Sequence, residues 1–238
     1  MGYFSAKVLA NDRIHDGVYS MKIAAGTAGV RPGQFYMLMP REALLGRPLS
    51  VCELGDGWIE FCYAVVGKGT REFSQLREND DIAANGPVGN GFDVDFINTR
   101  KRVAVVSGSV GIAPFVELVK RLTCEVSCFC GFHGGSYLTE RLRNVSIATE
   151  SGAEGHKGLV TEIFDPRGFE LVLACGSEAF SKAVTLKCKD AGTPLLISLD
   201  RHMACGVGAC LCCTCATAEG NKRCCVDGPV FWGEDLTC

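Results

Sequence analysis

Seven of the fifteen cysteines stand between residues 205 and 225, in "CGVGACLCCTC" (205–215) and "CC" (224–225). Thiols packed this densely either bond to one another or bind metal. The total is odd, so complete pairing within the chain is excluded. The opening, "MGYFSAKVLANDRIHDG", lacks the basic-then-apolar layout of a secretory signal. A reducing cytoplasm is therefore the expected compartment, and metal the expected occupant of the sulfurs.

Cys205-x4-Cys210-x2-Cys213, with a further cysteine downstream, has the interval of plant-type [2Fe–2S] sites. Such a cluster needs four converging thiolates and N–H groups aimed at its sulfurs. Gly206 and Gly208 let the backbone wrap closely, and Ala209 leaves room. The fourth ligand is Cys224 or Cys225; spacing alone does not choose. Zinc is the alternative, because Cys210-x2-Cys213 and Cys212-x2-Cys215 also have zinc spacing. The glycine-filled Cys-x4-Cys interval favours iron and sulfide.

A cluster takes electrons singly, whereas hydride donors deliver two, so a flavin is the expected converter. "GRPLSV" (46–51) offers Arg47 for a pyrophosphate and Ser50 for a flavin edge. "VVGKGT" (65–70) runs through glycines into a helix, whose free N–H groups favour an anion. "VVSGSVGIAPF" (105–115) reads as a strand end followed by a helix start, the place where nucleotides bind in open parallel sheets. There Gly108 and Gly111 allow close backbone approach, although the Gly-x-Gly-x-x-Gly fingerprint is incomplete. "LACGS" (173–177) is a second strand-to-loop turn, with Cys175 and Gly176 placed to face a nicotinamide.

The elements that would position these residues differ along the chain. Over residues 1–100, "SAKVLA", "VYSMKIA", "GQFYMLM", "PLSVCEL", "WIEFCYAVV" and "DDIAANG" read as short strands of an antiparallel β-barrel, with a helix at "TREFSQLR". Over 101–200 the strands "KRVAVVSG", "EVSCFCGF", "VSIATE", "FELVLACG" and "TPLLISL" alternate with the helices "IAPFVELVKRL" and "SEAFSKAVTLKCKDAG". That alternation predicts an α/β, Rossmann-like domain with a parallel sheet. Residues 201–238 lose periodicity and form a small Cys-rich domain. The expected architecture is thus multi-domain.

The 238 residues suffice for this division. A net charge of -3 without a basic block argues against a nucleic-acid partner. No apolar run approaches the ~20 residues of a membrane span. Cys52, Cys62, Cys124, Cys128, Cys130, Cys175 and Cys188 are expected as small buried apolar residues. His15, His133 and His156 are expected on the surface.

The order "RPLS", "GKGT", "GSVGIAP", "ACGS" and "CGVGACLCCTC…CCVDGPVF" resembles, over nearly the whole chain, the electron-transfer subunits of NAD-linked, two-subunit dihydroorotate dehydrogenases in the ferredoxin reductase superfamily. The resemblance implies FAD against the barrel, NAD(H) at the sheet domain and a [2Fe–2S] cluster near an FMN-bearing catalytic subunit, as a heterotetramer of two of each. It implies FAD contacts from Arg47, Pro48, Leu49, Ser50, Cys62, Tyr63 and Ala64, and pyrophosphate contacts from Gly69 and Thr70. It places the cluster ligands on Cys205, Cys210, Cys213 and Cys225, leaving Cys212, Cys215 and Cys224 surplus. No side chain here is expected to be catalytic, because dihydroorotate chemistry would sit on the partner, within pyrimidine synthesis. "SGSVG" departs from the family's more glycine-rich turn. "GFHGG" (131–135) has no arginine for a 2′-phosphate, which favours NADH over NADPH. Two other readings share some of these features. One is the flavin and iron–sulfur subunit of an NAD(P)-linked hydrogenase, sulfide dehydrogenase or transhydrogenase; such relatives tend to carry aspartate in place of Cys205. The other is a zinc-stabilised binding module.

Overall fold

In the computed structural model, which describes residues 2–237, the N-terminal strands pair into a closed barrel. They are β1 (Gly2–His15), β2 (Val18–Ala24), β3 (Phe35–Met39), β4 (Arg47–Gly55), β5 (Trp58–Ala64) and β6 (Asp81–Val88), ordered β1-β2-β5-β4-β3-β6. Alternating side chains point to opposite faces of a strand. Leu49 and Val51 of β4, with Ile59, Phe61 and Tyr63 of β5, therefore fill the barrel. Cys52 and Cys62 turn outward and join the core of the neighbouring sheet.

Helix α1 (Lys68–Phe73) begins and ends earlier than the sequence suggests. Thr70 lies inside its first turn, where its Oγ1 accepts the N–H groups of Val66 and Gly67. That satisfies the free donors upstream of Thr70 and draws the helix start back to the glycine turn.

After α2 (Val94–Asn98) come β7 (Arg102–Gly108), α3 (Ala113–Arg121), β8 (Glu125–Phe132), β9 (Val145–Thr149), β10 (His156–Lys157), α4 (Val160–Ile163), β11 (Leu171–Gly176), α5 (Glu178–Ala191) and β12 (Leu195–Leu199). The Cys-rich segment contains a hairpin, β13 (Thr214–Thr217) and β14 (Gly220–Arg223), and then β15 (Val230–Trp232). The large sheet runs β10-β9-β8-β7-β11-β12-β15, parallel except for β15. From β7 the chain proceeds outward through β8 to β10, and from β11 outward the other way. The switch point of the sheet therefore lies between β7 and β11, the kind of place where ligands bind in open parallel sheets.

Two devices hold the parts together. Glu60, on the outer face of β5 and 1% exposed, accepts from Arg141 Nη1 at 2.6 Å and from the Ser20 hydroxyl. The same Arg141 nitrogen reaches Glu53 of β4 at 3.0 Å, and Lys120 of α3 closes the network on Glu53. At the other end, Asn90 Nδ2 donates to the carbonyls of Asp227 (3.1 Å) and Val230 (3.0 Å), fastening the Cys-rich segment to the barrel exit. Among the described residues no helix is long and apolar enough to cross a membrane.

Candidate functional site

The loop after β12 wraps around a sulfur. Cys205 Sγ accepts the N–H groups of Val207 and Cys210, each at 3.4 Å. The Val207 N–H leads in holding this thiol down at about 6, against the opposing effect of burial. Gly206 and Gly208 have φ of 67° and 79°, a region that costs other residues about 1–2 kcal/mol. They also lack room for a side chain: a β-carbon would stand 2.5 Å from Met37 Cγ at Gly206 and 2.5 Å from Val226 Cγ2 at Gly208.

The turn at 223–227 supplies the other wall. Arg223 Nε meets Asp227 Oδ2 at 3.2 Å while its Nη1 donates to the Gly208 carbonyl at 3.3 Å, joining the two cysteine segments. Asp227 of the "DGPVF" stretch thereby acquires a structural role. Burial pushes the Cys225 thiol up to about 12, with the neighbouring Cys213 adding to the shift and the Gly208 N–H opposing it. Burial likewise raises Cys224, whose thiol partner is Cys215. Cys212 is exposed and donates to the His202 carbonyl at 3.5 Å. Of the seven thiols, Cys205 and Cys210 contact each other, Cys213 lies against Cys225, Cys224 pairs with Cys215 and also has Cys213 nearby, and Cys212 bonds the His202 carbonyl.

A second group of predicted residues lies on the barrel. The Arg47 guanidinium covers Gly69, where a β-carbon would be 2.8 Å from Nε, so "RPLS" and "GKGT" meet. Arg47 Nη1 donates to the Leu45 carbonyl at 2.6 Å. Pro48, Ser50 and Ala64 are half-buried on the outer side of β4 and β5. Leu49 and Tyr63 instead fill the barrel, and the Tyr63 hydroxyl donates to Asn11 Oδ1 at 3.0 Å, leaving only backbone for a ligand outside. Cys62 is buried against the sheet domain and kept protonated by that burial, at about 12.

The third group flanks the switch point. Gly111 lies against the end of β11: a β-carbon there would stand 2.3 Å from the Cys175 carbonyl oxygen and 2.9 Å from the Gly176 nitrogen. The Phe180 ring covers both turns, 3.3 Å from a β-carbon on Gly108 and 2.5 Å from one on Gly176. Cys175 is only 7% exposed, and burial pushes it up to about 12, so it is a neutral thiol and not a nucleophile.

Residues 200–237 match the iron–sulfur cluster binding domain of dihydroorotate dehydrogenase B. The chain is 43% identical to the Clostridium perfringens dihydroorotate dehydrogenase B (NAD(+)), electron transfer subunit, covering 99% of this chain and 98% of that protein. The chain belongs to this family of electron transfer subunits. The Clostridium acetobutylicum subunit is 42% identical over 98% of this chain and 97% of its own. Among solved structures, the NADH-dependent reduced ferredoxin-NADP oxidoreductase, described for flavin-based electron bifurcation, superposes with a TM-score of 0.86 at 28% identity, covering 97% of this chain and 89% of that one. A ferredoxin NADP+ reductase from Neisseria gonorrhoeae shares the fold at a TM-score of 0.65 and 17% identity, covering 80% and 92%.

Three residues that lie beside the predicted sites were missed by sequence reading. Arg141 clamps the outer faces of β4 and β5; its partners are remote in sequence, so no local signal marks it. Tyr137 meets Ser109 in the turn after β7, hydroxyl to hydroxyl at 2.9 Å. His15, expected on the surface, is half-buried with its ring 5.6 Å from that of Tyr137. Of the scattered cysteines only Cys124 departs from expectation, being half-buried.

Proposed function

We propose that this chain relays electrons between the FMN of a dihydroorotate-oxidising catalytic subunit and NAD, as one half of a heterotetramer of two plus two, in pyrimidine synthesis. The barrel (1–100) would hold FAD, the sheet domain (101–200) NAD(H), and the Cys-rich segment (201–238) a [2Fe–2S] cluster. A cytoplasmic setting accords with fourteen described cysteines, none of them in a disulfide.

One observation carries the reading. Met37 of β3 lies under Gly206 of the sulfur loop and also approaches Gly46, beside Arg47: a β-carbon on Gly46 would stand 3.2 Å from Met37 Cε. Met37 pairs with Pro48 in the ladder. The sulfur loop therefore packs one strand away from the face assigned to flavin, as a relay between two carriers requires.

Cys205, Cys210, Cys213 and Cys225 would hold the cluster; they come from two segments, and the N–H groups of Val207 and Cys210 reach Cys205 while that of Gly208 reaches Cys225. The iron–sulfur domain match supports this over zinc. Arg47, with Gly69 and Thr70, would bind the FAD pyrophosphate. Pro48, Ser50 and Ala64 would line the flavin side, with the backbone of Leu49, Cys62 and Tyr63. Gly108, Gly111, Cys175 and Gly176 would receive the nicotinamide. When bound, FAD exchanges hydride with nicotinamide and exchanges electrons singly with the cluster. The chain's own residues bind, space and insulate; none supplies an acid or base for dihydroorotate.

Co-purification tests the assignment. An FMN protein should reduce NAD with dihydroorotate only when this chain is present. Equal activity without it overturns the function. The similarity to the ferredoxin-NADP oxidoreductase motivates a second arm, in which dihydroorotate fails and reduced ferredoxin supports NAD(P) reduction.

A further inference from the structure

Ser109 opens the turn that follows β7, and it holds φ +52° without being glycine. This left-handed region disfavours L side chains, so something must hold Ser109 there. The Tyr137 hydroxyl, 2.9 Å from Ser109 Oγ, is in place to do so. Burial pushes this phenol up to about 12, so at neutral pH it is an uncharged hydrogen-bonding group.

Tyr137 is itself fixed. Only 7% exposed, it has the Phe132 ring of β8 edge-on at 4.8 Å and the His15 ring of barrel strand β1 at 5.6 Å. The turn it tethers, Ser109–Ile112, packs against the ends of β7, β8 and β11 and against barrel strand β5. Gly111 anchors the far end of the turn on the Cys175 carbonyl. Ser109 itself remains exposed just beyond the end of β7, at the switch point.

We propose that Tyr137 is a positioning residue for the nicotinamide dinucleotide: by holding Ser109 it keeps the β7–α3 turn in the conformation that receives the ligand. The proposal rests on the reading that NAD binds at the ends of β7 and β11. Tyr137 acts through Ser109, and its gain is one of population. When only a fraction of molecules hold the competent turn, apparent affinity falls by that fraction.

The test uses the full chain with FAD and cluster bound, titrated calorimetrically with NAD+ so that no electron transfer is involved. Tyr137→Phe keeps the ring and removes the hydroxyl. Its NAD+ dissociation constant should rise about three- to tenfold, the size of one lost hydrogen bond. The KM for NADH in ferricyanide reduction should rise by the same factor with kcat unchanged. Ser109→Gly supplies the rescue, since glycine adopts positive φ without a tether. The double variant should bind NAD+ within about twofold of Ser109→Gly alone, the scatter expected of uncoupled sites. Wild-type affinity in Tyr137→Phe, or an equal loss in the Ser109→Gly background, overturns the proposal. A wild-type chain that holds flavin and cluster yet binds no NAD+ overturns the underlying site as well, so the two failures are distinguishable.

Discussion

Gly206 of the sulfur loop rests directly on Met37 of the barrel, with no space between them for a side chain. Its φ of 67° is also one that glycine alone adopts freely. Gly206→Ala should therefore lower the iron content per chain and reduce Tm, at roughly 2–4 °C per kcal/mol for a chain of this size. Met37→Ala in the same chain would relieve the collision but not the backbone strain, so recovery should be partial. Iron analysis with the visible spectrum checks this; full iron loading of Gly206→Ala would contradict it.

The division of the thiols makes a sharper prediction. Cys225→Ser should abolish or strongly alter the visible spectrum of the cluster. Cys224→Ser and Cys212→Ser should leave it nearly intact. Cys224→Ser should still cost about 1–3 kcal/mol in stability, because a hydroxyl replaces a fully buried thiol. A cluster that survives Cys225→Ser and is lost in Cys224→Ser would reverse the assignment.

Arg47 should matter for flavin and not for folding. On the proposed assignment its charged hydrogen bonds to a pyrophosphate would be worth about 1.5–3 kcal/mol, so Arg47→Ala should weaken FAD retention roughly 10- to 100-fold. Arg47→Lys keeps the charge but loses the fork and should fall between. Dialysis of the holoprotein with fluorimetric assay of released FAD measures the effect, and iron content should stay constant.

The clamp between the domains predicts an acid limb. Burial tends to raise the Glu53 carboxyl, but the hydrogen bond and charge of Lys120, with the charge of Arg141, bring it below the usual value of 4.5. A carboxylate depressed in the folded state stabilises fully above its unfolded pKa and loses that contribution as pH falls through its folded value. Glu53→Gln should therefore lower Tm at pH 7 and flatten its decline on acidification, as thermal unfolding between about pH 3 and 7 would show.

Arg141→Ala should be the more damaging change, since it strips Glu60 of its cation while leaving it buried. Breaking such a pair costs about 3–5 kcal/mol, and the partial exposure of Arg141 places the loss near the lower end. Urea unfolding of Arg141→Ala against Arg141→Lys measures it, and no change in midpoint would remove the clamp from the account.

How far the chain could be read in advance depended on the range of the interactions. The barrel strands were legible because alternation is a local pattern, and β15 was not, since its three residues become a strand only by pairing with β12. The helix at α1 shifted because the Thr70 hydroxyl reaches backward to Val66 and Gly67. The Cys205–Cys213 loop was legible because its sulfurs and glycines are neighbours in the chain. Spacing does not choose between Cys224 and Cys225: adjacent side chains leave the backbone in different directions, so only tertiary contacts tell them apart, with Cys215 and Cys213 near Cys224 and Cys213 near Cys225.

By itself, then, the sequence determined the kinds of chemistry present, the order of the parts and the short loops that carry the donors, all written in contiguous residues. The tertiary structure alone decided which distant groups meet: Met37 under Gly206, Arg141 on Glu60, Tyr137 on Ser109. Those contacts join segments far apart along the chain. Only the burial of shared apolar surface brings such segments together, and no local pattern encodes which of them will touch.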